Sequence, residues 1–199
     1  MPVTAESYFT SLKNYLCPNY QIVKRDSGRL VLEEEVYWAG ETKAKKHKVR
    51  LPYNGEAIVV RLDLKNRSGN SDPLFHFFKD DSKPWAKRCD FVVFQLVSNR
   101  LNIYCIEFKS GSLPESLCQQ LEASEAWCRA IHAIIKSYTG KAKRLNLRKF
   151  VFSCIEQPER FCDEEGYLNS DHSIRHIHYD DVRTMALDDL TNPSVELIG

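Results

Sequence analysis

The stretch from Asp90 to Lys109 constrains this chain more than any other. It runs Cys89-Asp90-Phe91-Val92-Val93-Phe94, breaks at Ser98-Asn99-Arg100, and resumes as Tyr104-Cys105-Ile106-Glu107-Phe108-Lys109. The apolar, β-branched and aromatic runs predict two buried strands in a hairpin, with one acid opening the first and acid-x-lysine closing the second. Charged groups are rarely fully buried without a partner, so their place at one end of such a sheet needs a reason.

Counting tests whether they meet. A two-residue loop at Ser98-Asn99 sets Asp90 opposite Glu107, and a loop at Asn99-Arg100 sets it opposite Lys109. Side chains alternate faces along a strand, so in both registers Asp90 shares a face with Glu107 and Lys109. The three-residue register between them puts Asp90 opposite Phe108, on the wrong face unless a bulge intervenes. Two carboxylates and an ammonium gathered in this way can hold a divalent cation and activate a water, which is the chemistry of phosphodiester cleavage. The alternative is an ordinary ion pair at a sheet edge.

Asp90 and Glu107-Phe108-Lys109, followed by a helix, resemble the PD-(D/E)XK, or restriction endonuclease-like, nuclease superfamily over about residues 85–155. Cys89 stands where that motif has proline, and Gln119-Gln120-Leu121 lacks the tyrosine that follows a glutamine in some members. The resemblance implies that Asp90 and Glu107, with the Phe108 carbonyl, ligate Mg2+ (Mn2+ substituting), and that Lys109 orients the attacking water. It implies a further acid from the first helix, where Glu6 is the only one, although Glu35, Glu56 and Asp63 are alternatives. Glu6 is better explained as a first-turn acid favoured by the helix dipole. A setting in bacterial defence or mobile elements is likewise an expectation from resemblance.

The flanking chain suits that frame. Ser112-Leu113-Pro114-Glu115 has the form of a capping box, with Ser112 as N-cap. Leu117, Leu121, Cys128, Ile131, Ile135 and Tyr138 follow at helical spacing, interrupted by Ser124, and Gly140 is the expected stop. Phe150 to Ile155 reads as a buried strand, so strand, helix and strand make a crossover to a parallel partner. Upstream, Thr4–Leu16 predicts an amphipathic helix with Tyr8, Leu12 and Leu16 in line. Segments 29–38, 45–53 and 57–64 predict a β-meander, separated by Gly40 and by an Asn54-Gly55 hairpin turn. Asn66 to Asp72 reads as a loop ending at Pro73. The expected fold is therefore α/β (α+β): a mixed central β-sheet flanked by helices, with a restriction endonuclease-like core and an N-terminal β-meander. It forms one domain over 1–199, with the core at 85–155, the helix and meander at 1–80, and a C-terminal extension at 156–199.

A hydrophobic content of 43% over 199 residues supports one real core. No apolar run spans a bilayer, and seven cysteines without a C-x-x-C pair suit a reducing cytoplasm. The net charge of +1 announces no polyanion partner by itself. Its distribution does more. Lys136, Lys141, Lys143, Arg144, Arg148 and Lys149 give residues 136–149 six cations and no acid, a candidate phosphate-backbone track. Lys87 and Arg88, with Lys79 and Lys83, precede Asp90, and Lys43 to Arg50 form another cluster. Solvated loops are the alternative for each. The expected partner is nucleic acid, DNA in preference to RNA, with no membrane; a homodimer or a partner protein is compatible. A binding or interaction module of the same fold without turnover is the alternative function. Trp38, Trp85 and Trp127 could stack bases but are better placed in a core. His172, His176 and His178 fit no single regular conformation that would gather all three on a metal.

Overall fold

The computed structural model describes residues 3–21, 25–26, 28–36, 45–63, 84–110 and 112–199. Trp38, Gly40, Lys43, the Asn66–Asp72 loop, Pro73, Lys79, Lys83 and Gly111 lie outside them.

Helix α1 (Ala5–Tyr15) starts where Thr4 accepts the Ser7 amide on its side-chain oxygen, 3.0 Å away, and it buries Tyr8, Phe9 and Leu12. Strands β1 (Arg25–Asp26), β2 (Arg29–Val36) and β3 (Lys45–Pro52) make a three-stranded antiparallel sheet. Strands β4 (Glu56–Arg61), β5 (Phe91–Val97) and β6 (Arg100–Lys109) open a second, larger sheet. Helix α2 (Ser116–Thr139) then returns the chain to β7 (Leu145–Ser153), parallel to β6. Strands β8 (Tyr167–Leu168) and β9 (Asp171–His178), the single turn α3 (Tyr179–Val182) and β10 (Glu196–Ile198) follow. The large sheet runs β4-β5-β6-β7-β9-β8, with β10 on the N-terminal part of β7. This is the mixed sheet flanked by helices that the hairpin and crossover imply.

Two apolar clusters sandwich the large sheet. Val92, Phe94, Ile103 and Cys105 face α1 and α2, whereas Phe91, Val93, Ile106, Phe150 and Phe152 face Leu30, Leu32, Val49 and Leu51 of the small sheet. Trp127 joins the first cluster, in keeping with a core role.

Three local readings need correction. Asn54-Gly55 does not fold β3 back onto β4: β3 pairs with β2, and β4 pairs with β5. The turn instead passes the chain between sheets, and glycine is needed there because its φ is +75° and a Cβ would sit 2.0 Å from the Leu96 carbonyl oxygen. Ser112 does not cap α2, whose N-cap is Glu115. Leu113 precedes a proline and is held out of the helical region, so the first turn cannot start before Pro114. Tyr138, last of the expected apolar stripe, is 78% exposed. Gly140 ends α2 in the left-handed conformation as expected.

Candidate active site

Ser98 and Asn99 form the β5–β6 turn, both with positive φ (48° and 60°), as a two-residue primed turn requires. Val97 consequently pairs with Arg100 and Phe91 with Ile106, which sets Asp90 directly opposite Glu107. The Phe108 amide donates to Asp90 Oδ2 at 2.7 Å, and the Asp90 amide donates to Glu107 Oε2 at 3.0 Å. Lys109 Nζ donates to Glu107 Oε1 at 2.5 Å. Asp90 and Glu107 are buried, with 8% and 2% exposure. All three expected site residues therefore come together on one face at one end of the sheet.

Helix α2 holds the chain leading into Asp90. Ser124, the polar break in the apolar stripe, is fully buried and accepts the Cys89 amide at 2.8 Å. One turn earlier, Gln120 Nε2 donates to the Arg88 carbonyl at 3.3 Å. Sequence reasoning missed both anchors, although a serine inside a helix's buried stripe is itself a signal of a polar duty.

The triad lines a cleft of about 710 Å³ together with Glu34 and Glu35 of β2, Asp63 after β4, Lys87 and Arg88. Of the alternatives for an upstream acid, Glu35 and Asp63 reach this cleft. Glu34, unforeseen, does too; its Oε2 also accepts from Arg61 Nη2 at 2.7 Å. Burial, then the Glu107 charge, then that of Glu34, holds the Asp90 carboxyl well above the usual carboxylate range, against the Phe108 amide and Lys109. Burial also raises Glu107, opposed by Lys109 and by the Asp90 amide. The site thus gathers buried carboxyl groups whose ionisation is opposed by burial more than its own cations favour it.

A hard divalent ion is what such a donor set suits, since carboxylate and carbonyl oxygens are its preferred ligands. Among the described residues, no three His, Cys, Asp or Glu side chains already close on one point. Each Glu107 oxygen accepts one hydrogen bond, Oε2 from the Asp90 amide and Oε1 from Lys109, which leaves a lone pair on each for an ion. The chemistry of these donors fits such an ion.

Other expected site residues are placed elsewhere. Glu6 is exposed in the first turn of α1, whose Ala5 amide contacts Asn99 at the hairpin's turn. That is eight residues along β6 from Glu107, about 26 Å at 3.3 Å per residue, so Glu6 is not brought to the site. Glu56 pairs with Leu96 near the same turn. Leu145 pairs with Leu101 there too, so the basic segment enters β7 at the far end of the sheet, and its last member, Lys149, comes opposite Cys105. Lys141 Nζ braces α1 through Ser7 O (3.1 Å) and Ser11 Oγ (2.9 Å), and Arg148 Nε donates to Asn192 O at 3.2 Å. Lys149 is buried at 3.1 Å from Glu125. Lys136 and Arg144 are exposed and Lys143 half-buried. Only Lys87 and Arg88 of the expected phosphate contacts line the cleft. His172, His176 and His178 form no metal group: His176 bonds Ser153 Oγ at 2.7 Å, His172 lies 3.4 Å from Asp163, and His178 caps α3.

No helix among the described residues is long and apolar enough to cross a membrane. The chain matches no family model, no curated protein and no solved structure.

Proposed function

We propose that the protein is a divalent-metal-dependent nuclease of the PD-(D/E)XK type. The observation that carries the reading is the pairing of Asp90 with Glu107, with Lys109 on the same face, at the base of an acid-rich cleft. Asp90 and Glu107, with the Phe108 carbonyl, would hold Mg2+ or Mn2+. When bound, such an ion lowers the pKa of a coordinated water and draws off charge from a phosphoryl oxygen. Lys109, released from Glu107, has its ammonium where it can orient the water and offset charge at the scissile phosphate. Lys87 and Arg88 on the cleft wall suit the flanking phosphates, and Gln120 and Ser124 keep the 88–90 backbone from shifting.

A second reading, a nucleic-acid-binding module without turnover, draws support from the engagement of Lys109 with Glu107. Incubating mixed DNA and RNA substrates with Mg2+ or Mn2+ separates the two. Wild type should cut, while Asp90→Asn and Glu107→Gln stay folded and fall to background. Equal cutting by the variants overturns the assignment; binding without cleavage under every condition favours the module.

A further inference from the structure

The cation cluster at Lys43–Arg50 stands outside the chemistry above; of its described members, Lys46 lies 3.7 Å from Glu35 on the cleft wall. Lys48 and Arg50 of β3 instead line a second cavity of about 520 Å³, with Arg29 of β2 and Arg183 just after α3. Pro52, Thr184 and Met185 complete its walls, and no acid lines it among the described residues. Four cations from three separate stretches of chain thus converge on one concavity. Arg183 Nη1 has Asp180 Oδ1 at 3.0 Å, but both side chains are more than half exposed, so that pair contributes little and leaves the arginine able to engage a second anion.

The place of this cavity matters as much as its charge. Arg29 and Glu35 lie six residues apart on β2, so their side chains project from the same face of the small sheet. Glu35 lines the acidic cleft and Arg29 the basic cavity. The separation along the strand is about 20 Å at 3.3 Å per residue, a span that one nucleic-acid duplex lying across this face covers. A cleft rich in acids repels a polyanion, and a detached cluster of cations on the same face can supply the attraction it lacks.

We infer that the cavity between Arg29, Lys48, Arg50 and Arg183 is a phosphate-backbone site, holding the same nucleic acid about 20 Å along β2 from the acidic cleft. The inference rests on the nuclease reading for its choice of polyanion. Guanidinium groups suit it because they contact phosphate oxygens bidentately and without regard to base sequence.

The test uses the whole chain with Arg29→Ala and Lys48→Ala combined, two exposed positions where truncation spares the core. Binding of a 30-base-pair duplex is measured in EDTA across a salt series, so that no metal or turnover enters. The variant should bind more weakly on every sequence, and the slope of log affinity against log salt should fall by about two. Hydrolysis of bis(4-nitrophenyl) phosphate with Mn2+, a substrate too short to reach the cavity, should be unchanged. An unaltered salt slope overturns the inference, even if Asp90→Asn abolishes cleavage and so upholds the nuclease reading. A flattened slope in a protein that cuts nothing upholds the backbone site and removes the nuclease. Equal loss of duplex and small-substrate turnover, with the slope unaltered, would instead make these cations part of the cleft and also overturns it.

Discussion

The two ends of the β5–β6 hairpin use polar groups in opposite ways. At the turn end, Asp188 accepts from the Asn54 amide (3.1 Å), Asn54 Nδ2 (3.0 Å) and Gln95 Nε2 (2.8 Å), and Gln95 Oε1 in turn accepts from the Tyr104 hydroxyl at 2.9 Å. One carboxylate there meets only donors. At the other end Asp90 and Glu107 face each other in burial, with Glu34 and Asp63 nearby, so like charge is concentrated and not dispersed. The same two strands can therefore tie down loops at one end and hold a reactive cluster at the other. Polar groups stabilise a fold where donors and acceptors match, and they mark a site where they do not.

The sharpest break of that comparison swaps lysines between ends. Lys109→Ala should lower kcat by about a hundredfold to a thousandfold, the usual range for one charge-stabilising donor. Lys141→Ala, at the other end, should leave kcat untouched. A comparable loss in both would mean that the lysines act through the fold and not through the site.

A smaller effect tests burial of a base, away from the paired carboxylates. His176, beside the site end on β9, is pushed down to about 4, chiefly by burial and then by His178, against Asp181. Its folded form resists protonation, so its contribution is complete above pH 6.5 and is lost as pH falls from 6.5 towards 4. A 2.5-unit difference corresponds to about 3 kcal/mol. Thermal melts should show His176→Gln losing less stability than wild type between pH 7 and pH 4. Parallel losses would mean that the imidazole is hydrated and the pocket looser than its 8% exposure implies.

The smallest effect belongs to the matched end. Lys141→Ala removes two hydrogen bonds to α1, at Ser7 and Ser11, and should cost about 1 kcal/mol in urea unfolding with an unchanged denaturant slope. No loss of stability would return Lys141 to the solvated surface and reopen its use as a phosphate contact.

What could be read from sequence was local. The turn at Ser98-Asn99-Arg100 left the hairpin register open, but the parallel strand followed from a helix long enough to cross over. Asp90, Glu107 and Lys109 were legible because two of the three registers weighed put them on one face, and the Ser98-Asn99 turn is one of those two. What escaped depends on contacts distant in the chain. Glu34 reaches the cleft only once the small sheet packs on the large one, and nothing in Glu33-Glu34-Glu35 singles it out. Asn54-Gly55 has the residues of a hairpin turn, yet Asp188, more than 130 positions away, decides its neighbours. The run of cations at 136–149 looked like one surface because it is one stretch of chain. The fold divides it among a brace to α1, a bond to Asn192 and a buried ion pair. The alternation of cations and apolar residues also concealed the first half of β7, which begins at Leu145 and not Phe150.

The central claim is that Asp90 and Glu107 are held together, at a cost in stability, to receive a dication. Raised folded pKa values favour the protonated acids, so their stability contribution is present at low pH and lost as pH rises through those values. Thermal melts at pH 7.5, with and without Mg2+, on wild type and Glu107→Gln test this directly. Wild type should melt lower in EDTA and rise by about 5–10 °C at a hundredfold excess over Kd, while the variant melts higher in EDTA and ignores the ion. A wild type indifferent to Mg2+ and Mn2+, or a variant that responds equally, would contradict the claim.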